Sequence, residues 1–177
     1  MDPFTAANPD FLWGYLADIA ADSSNPARVI TLATIDCEGL PQARSVILRE
    51  ANAWSLTVYT DKRSPKLDQL RRQPQAQLLL WDRDRRWQLR CVATTEVIAE
   101  GAETDRLWEK VKDTHAAQDY LTPQAPGEIL DVNSAAQVQP QLGILRFHLT
   151  EIDWLELRRE GHRRQRLTPN GIQALVP

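Results

Sequence analysis

Cysteine is scarce in this chain. The two that occur, Cys37 and Cys91, stand far apart, with no CxxC pair and no histidine cluster beside them. A disulfide framework is therefore excluded, and free thiols in a reducing compartment are expected. Histidine is scarce too. His115, His148 and His162 are widely spaced and lack ligand-like partners, so no metal site is expected. No apolar run approaches the roughly 20 residues of a membrane span. The opening Met-Asp-Pro-Phe-Thr has neither the basic nor the apolar region of a secretory signal. The expectation is a cytoplasmic protein with no membrane partner. Internal repeats and low-complexity tracts are also missing, as is any convincing triad, dyad or metal cluster. Net charge is only −3, which gives no global reason to bind nucleic acid. The cations are not interleaved with an aromatic series that could stack bases, so a nucleic-acid partner is not expected.

What is present is an ordinary globular composition with an uneven distribution of charge. Apolar residues make up 42% and charged residues 25% of 177 residues. That length suits one domain, residues 1–177, with a sizeable core. Residues 44–90 carry 11 Lys/Arg against 5 Asp/Glu, a net of +6, whereas residues 1–43 sum to −5 and residues 91–157 to −8. The tail, residues 158–177, returns to +4. Any single cation is best read as part of a solvated face. Two basic segments in an acidic chain could nevertheless meet to form one anion site.

The periodicity gives the elements. Asn8-Pro9-Asp10 opens a helix, with Asn8 as cap and Pro9 at the first helical position, and Phe11, Leu12, Tyr15, Leu16 and Ile19 recur at helical spacing. Residues 28–49 read as a β-hairpin around Asp36-Cys-Glu-Gly39, where Gly39 can take positive φ. Residues 50–53 read as a turn and 54–60 as a third strand. Ser64-Pro65 signals a second helix over 65–72, with Ser64 capping, and its free N–H groups would suit a phosphate. Lys62, Arg63 and Lys66 surround that point. Strands follow at 76–81 and 86–98, then a helix over 102–113 and a loop-rich stretch from 117 to 140. A loop of that length points to function. A long strand over 142–157 and a short return over 162–167 complete the chain. The sum is a mainly β (α+β) protein, six or seven mostly antiparallel strands in a closed or split barrel with peripheral helices.

The ordered residues Leu32-Ala-Thr-Ile-Asp-x-x-Gly39-x-Pro41-x-x-Arg44-x-Val46-x-Leu48-Arg49, then Tyr59-Thr60-Asp61-x-Arg63-Ser64-x-Lys66, Gln73-Pro74-x-Ala76, Trp81 and Gln88-x-Arg90 form an evenly spaced pattern. It resembles the pyridoxamine 5′-phosphate oxidase family of FMN-binding split barrels. Trp108, Tyr120-Leu-x-Pro123 and Pro126-Gly127 look more like a divergent, oxidase-related branch. The resemblance implies that Arg44 and Lys66 bind the FMN phosphate, with hydroxyls from Thr60 and Ser64. It implies that Ser45, Val46, Ile47 and Leu48 run along the isoalloxazine ring, and that Tyr59 and Gln88 also contribute to the cofactor site. Arg49 stands where the oxidase has a substrate-contacting Lys. Arg164 and Arg166 are further candidates for substrate. No catalytic residue is assigned, because flavin chemistry needs no protein nucleophile. A homodimer with FMN between subunits is implied, as is hydride transfer from substrate to FMN with reoxidation by O2. A flavin or quinone reductase and a non-catalytic flavin-binding protein are the alternatives. Two departures bear on substrate. Pro65 replaces a usual Arg, and residues 152–166 keep Arg and His but not the family's C-terminal spacing.

Overall fold

The computed structural model describes residues 9–130 and 139–177. Strands β1 (Val29–Ile35), β2 (Pro41–Asn52) and β3 (Ser55–Asp61) follow helix α1 (Pro9–Ala21). Helix α2 (Pro65–Arg72) leads to β4 (Gln75–Asp82) and β5 (Trp87–Ile98). Helix α3 (Ala102–Val111) precedes β6 (Leu142–Glu156), β7 (Arg163–Thr168) and β8 (Gly171–Leu175). The sheet order is β3-β2-β1-β4-β5-β6-β7-β8, and β3 also pairs with β6. That last pairing closes β1–β6 into a six-stranded antiparallel barrel, with β7 and β8 as an added flap. Closure through β3 and β6 pairs most of the edges that an open sheet would expose, except along the first half of β2.

The alternation seen in the sequence decides which side is core. In β4, Ala76, Leu78 and Leu80 point inward, while Gln75, Gln77, Leu79 and Trp81 are exposed. Leu32, Leu48, Val58, Leu89, Leu145, Phe147 and Ile152 fill the same interior, each fully buried. Helix α1 covers one end through Leu12, Leu16 and Ile19. A smaller apolar cluster, Leu107, Tyr120, Leu142 and Ile144, seats α3 and the 3-10 helix His115–Tyr120 against the barrel wall.

Among the described residues, eight strands stand where six or seven are expected. The additional one, β8, is short and mostly exposed, so it carries no burial alternation to read. Gly39 takes φ +81° in the first hairpin turn, as its position requires. The second turn falls later than expected. Strand β2 continues through Asn52, which pairs with Ser55, leaving Ala53-Trp54 as a two-residue turn. Trp54 pays for a φ of 60° by packing its ring 5.2 Å from that of Trp13. The predicted Asn8 cap lies outside the described residues, and part of the predicted 117–140 loop does as well.

Cations on the outer faces of β5 and β7 are tied to carboxylates of β6. Arg164 donates to Asp153 at 2.9 and 2.6 Å, and Arg90 donates to the same carboxylate. Those bonds, with Arg164 the largest influence, hold the Asp153 carboxyl at about 2. Its folded value lies below its ordinary one, so the stabilisation is fully present above pH ~4 and is lost as pH falls toward ~2. Asp153→Asn is expected to flatten the pH dependence of stability across that window. Denaturant titrations at stepped pH check this, and parallel wild-type and variant curves below pH 4 would refute it.

Candidate functional site

The barrel wall is split beside β2. This strand pairs with β1 from Pro41 to Ile47, but with β3 only from Leu48 to Asn52. Beyond Val58, β3 pairs only with β6. The two strands therefore diverge, and alternate N–H and C=O groups along residues 41–47 face the cleft without a ladder partner. A register shift between Leu48 and Glu50 places Arg49 in a β-bulge where the strands part. Bulges re-aim side chains and recur beside functional sites.

Four predicted residues converge at the mouth of this cleft. Lys66 Nζ donates to Thr60 Oγ1 at 2.8 Å and to Ser64 Oγ at 2.7 Å. Both hydroxyl residues are buried. Arg44 reaches toward them from β2, close enough that its charge depresses the Lys66 pKa, after burial, the larger cause. Among the described residues, the Arg44 guanidinium has only neutral hydrogen-bond partners. It donates to Gln69 Oε1 at 3.0 Å, to Thr34 Oγ1, and more loosely to the carbonyls of Leu32 and Gln42. Burial also lowers the Arg44 pKa. The buried Asp61 carboxylate offsets this only in part: its charge acts on Lys66 more weakly than burial and Arg44 do, and Arg63 takes both its oxygens, at 3.1 and 2.6 Å. Two partly buried cations with neutral partners make a site of strong positive potential, at the N-terminus of α2.

Ser64 sits at the predicted N-cap position, but its hydroxyl makes no cap bond and instead accepts from Lys66. The helix start is thus arranged around the lysine. Lys62 and Arg63, predicted near the same point, turn elsewhere. Lys62 lies 3.7 Å from Glu100. Arg63 also donates to the carbonyls of Thr122 and Pro123, which fastens the following loop to the α2 turn. The sequence reading did not single out Thr34 and Gln69, which orient Arg44. Thr34 carried a usable signal: it is a polar residue in the buried register of β1, beside Ile30 and Leu32.

The remaining candidates are spread over the barrel. Val46 and Leu48 point into the core, so only their backbones border the cleft, whereas Ser45 and Ile47 face outward. Tyr59 donates its hydroxyl to Glu50 at 2.8 Å and packs against the α3 cluster. The Arg49 guanidinium lies over the Tyr59 ring, 5.6 Å from its centroid. Gln88 is half-buried on the outer face of β5, three strands from β2, which is roughly 14 Å at ordinary strand spacing. Arg164 and Arg166 lie on β7, which pairs with the distal half of β6. Arg164 is engaged by Asp153, and Arg166 lies 3.3 Å from Glu151. Within one chain the structure brings together Arg44, Thr60, Ser64 and Lys66, and leaves Gln88, Arg164 and Arg166 apart from them.

The chain is similar to known proteins in sequence and in fold. The chain is 34% identical over 107 residues to the pyridoxine/pyridoxamine 5′-phosphate oxidase of Cereibacter sphaeroides, covering 60% of this chain and 50% of that one. It is 32% identical over 91 residues to the Caulobacter vibrioides enzyme of the same name, covering 51% and 40%. The matches thus span about half the length of these relatives or less. Among solved structures, a pyridoxamine 5′-phosphate oxidase-related, FMN-binding protein from Nostoc punctiforme superposes with a TM-score of 0.76 at 22% identity, covering 100% of this chain and 98% of that one. PhzG from Burkholderia lata, solved with tetrahydrophenazine-1-carboxylic acid, gives 0.74 at 21% identity, covering 99% and 93%. At those identities the likeness establishes the FMN-binding split-barrel fold. The profile of the pyridoxamine 5′-phosphate oxidase family matches residues 20–153, and the chain belongs to that family.

Proposed function

We propose that this chain is a single-domain protomer of a homodimeric, FMN-dependent oxidoreductase. The observation that carries the reading is the Arg44–Lys66 pair, whose hydrogen-bond partners among the described residues are all neutral. A phosphate monoester brings nearly two negative charges. Two cations with two buried hydroxyls match it in charge and in donor number. Arg44 supplies a planar fork, Lys66 a point charge, and Thr60 and Ser64 the hydroxyls. The unpaired edge of β2 supports placing the polar rim of the ring against the backbone of Ser45–Leu48. Bound FMN would supply the two-electron chemistry, accepting hydride from substrate and passing the electrons to O2.

A second copy of the chain explains why Gln88 lies away from the cleft: the partner subunit would present it there. Support comes from the outer face of β1, β4 and β5, where Val29, Leu79, Trp81 and Val92 are 37–49% exposed. Exposed apolar residues grouped on one sheet face suit an interface. Arg49 from one copy, with Arg164 and Arg166 from the other, would orient substrate. The free thiols of Cys37 and Cys91 support a cytoplasmic setting.

Pyridoxamine or pyridoxine 5′-phosphate is the first substrate to test. The lost C-terminal spacing and the engagement of Arg164 by Asp153 favour keeping a flavin or quinone reductase as the second reading. Purified protein is expected to be yellow and to have a mass near twice 20.1 kDa. Peroxide and pyridoxal phosphate formed from pyridoxamine phosphate select the oxidase, whereas bleaching by a nicotinamide donor selects the reductase. Colourless protein that fails to take up FMN would sink both.

A further inference from the structure

We infer that Arg63 determines the cradle's preference for a phosphate without touching it: Arg63 sequesters the buried Asp61 carboxylate, so that the charges of Arg44 and Lys66 stay available to the anion. The identity of the anion rests on the flavin reading; the sequestration stands on geometry alone. Asp61 ends β3, next in the chain to Thr60, and is buried. Its charge is felt at Lys66, where it follows burial and Arg44 in size and opposes both. Left unshielded, a carboxylate at this depth would repel an incoming phosphate and offer Lys66 an internal partner. Either effect would cancel much of the positive potential of the cradle.

The Arg63 fork covers both oxygens of that carboxylate. Nε donates to Oδ1 at 3.1 Å, and a terminal nitrogen donates to Oδ2 at 2.6 Å. Oδ1 also accepts the Arg63 backbone N–H at 2.8 Å, so Asp61 stays beside the cradle whatever side chain stands at 63. The other hydrogen bonds of Arg63 run to the root of the following loop. They reach the Thr122 carbonyl at 3.1 Å, its hydroxyl at 3.0 Å and the Pro123 carbonyl at 3.3 Å. That root is itself anchored. The Gln141 N–H donates to the Tyr120 carbonyl at 2.9 Å, and the Lys62 N–H donates to the Gln141 carbonyl at 2.7 Å. β6 runs so close to this turn that a Cβ at Gly143 would lie 3.3 Å from the Lys62 Cβ. Asp61 is the largest influence raising the Arg63 pKa, and Glu128 adds a weaker attraction. The guanidinium is thus oriented toward Asp61 by the carboxylate and by two carbonyls together. A lysine at 63 could supply the charge but not the fork that covers two oxygens.

The test is a double-mutant cycle on the full-length protein freed of flavin, reading the Kd of FMN and of riboflavin by fluorescence quenching. Arg63→Ala should raise the FMN Kd about tenfold or more and leave the riboflavin Kd within about threefold of wild type. Adding Asp61→Asn to Arg63→Ala should bring the FMN Kd back to within about threefold of wild type, because the unshielded charge is gone. A residue that held the phosphate directly would show no such rescue, and one that only held the fold would weaken both flavins alike. Either result overturns the assignment, as does unchanged FMN affinity in folded Arg63→Ala. Truncation leaves a buried carboxylate without its partner, which is strongly destabilising. If thermal denaturation shows that Arg63→Ala does not fold, Arg63→Gln, which keeps an amide donor for Asp61, takes its place in the cycle under the same criteria. If the wild-type protein takes up no flavin, the flavin reading fails by itself. Calorimetric titration with inorganic phosphate then decides the sequestration. Phosphate affinity that falls with the Arg63 variant and returns with Asp61→Asn supports it, and affinity indifferent to both, or no phosphate binding, refutes it.

Discussion

Arg44→Ala is expected to strip flavin from the purified protein and raise the FMN Kd about a hundredfold or more. The alanine removes a planar donor fork and half of the positive charge in the cradle. Charge-assisted hydrogen bonds contribute about 1.5–3 kcal/mol each, and two lost together correspond to about 3 kcal/mol or more. Because Arg44 otherwise binds Thr34 and Gln69, the fold must be checked by thermal denaturation alongside. The informative control is riboflavin, which lacks the phosphate. Wild type should prefer FMN strongly, and the variant should bind the two almost equally. Arg44→Lys keeps the charge but not the fork and should fall between them. Unchanged FMN affinity in Arg44→Ala would refute the phosphate role.

The cradle was legible because its parts are local. Thr60, Ser64 and Lys66 lie within one strand-to-helix turn, so their mutual distances follow from spacing alone. Arg44 joins them because β2 and β3 form a hairpin, which short turns also reveal. Strand identity was readable for the same reason, although the β2–β3 turn was placed too early: burial imposes period two, and the residues of β4 show it without exception. What escaped the sequence is which of several available partners each side chain takes. The direction of the Ser64 hydroxyl is decided by Lys66, against its ordinary capping role. Arg63 has the same local spacing as Lys66, but Asp61 and the Thr122–Pro123 carbonyls draw it away. Trp54 occupies a turn position that its own propensity disfavours, because Trp13 packs against it.

Trp154→Ala should have the largest effect on stability, with little on flavin binding. Trp154 is 1% exposed, at the barrel end of an aromatic chain that ties the barrel to α1. Its ring lies 4.7 Å from Trp87, which in turn contacts Tyr15 at 5.2 Å and Phe11 at 6.0 Å. Truncation leaves a large cavity and releases edge-to-face contacts, a loss of about 3–5 kcal/mol. For a chain of this size that lowers Tm by roughly 10 °C or more. Trp154→Phe, which keeps much of the ring, should lose less. The cradle shares no partner with this aromatic chain, and effects at independent sites add. Well below its melting transition, Trp154→Ala should therefore retain FMN with near wild-type affinity. Loss of flavin from the still-folded variant would show that the split in the barrel depends on packing at its aromatic end, and the separation of scaffold from cofactor site would fail.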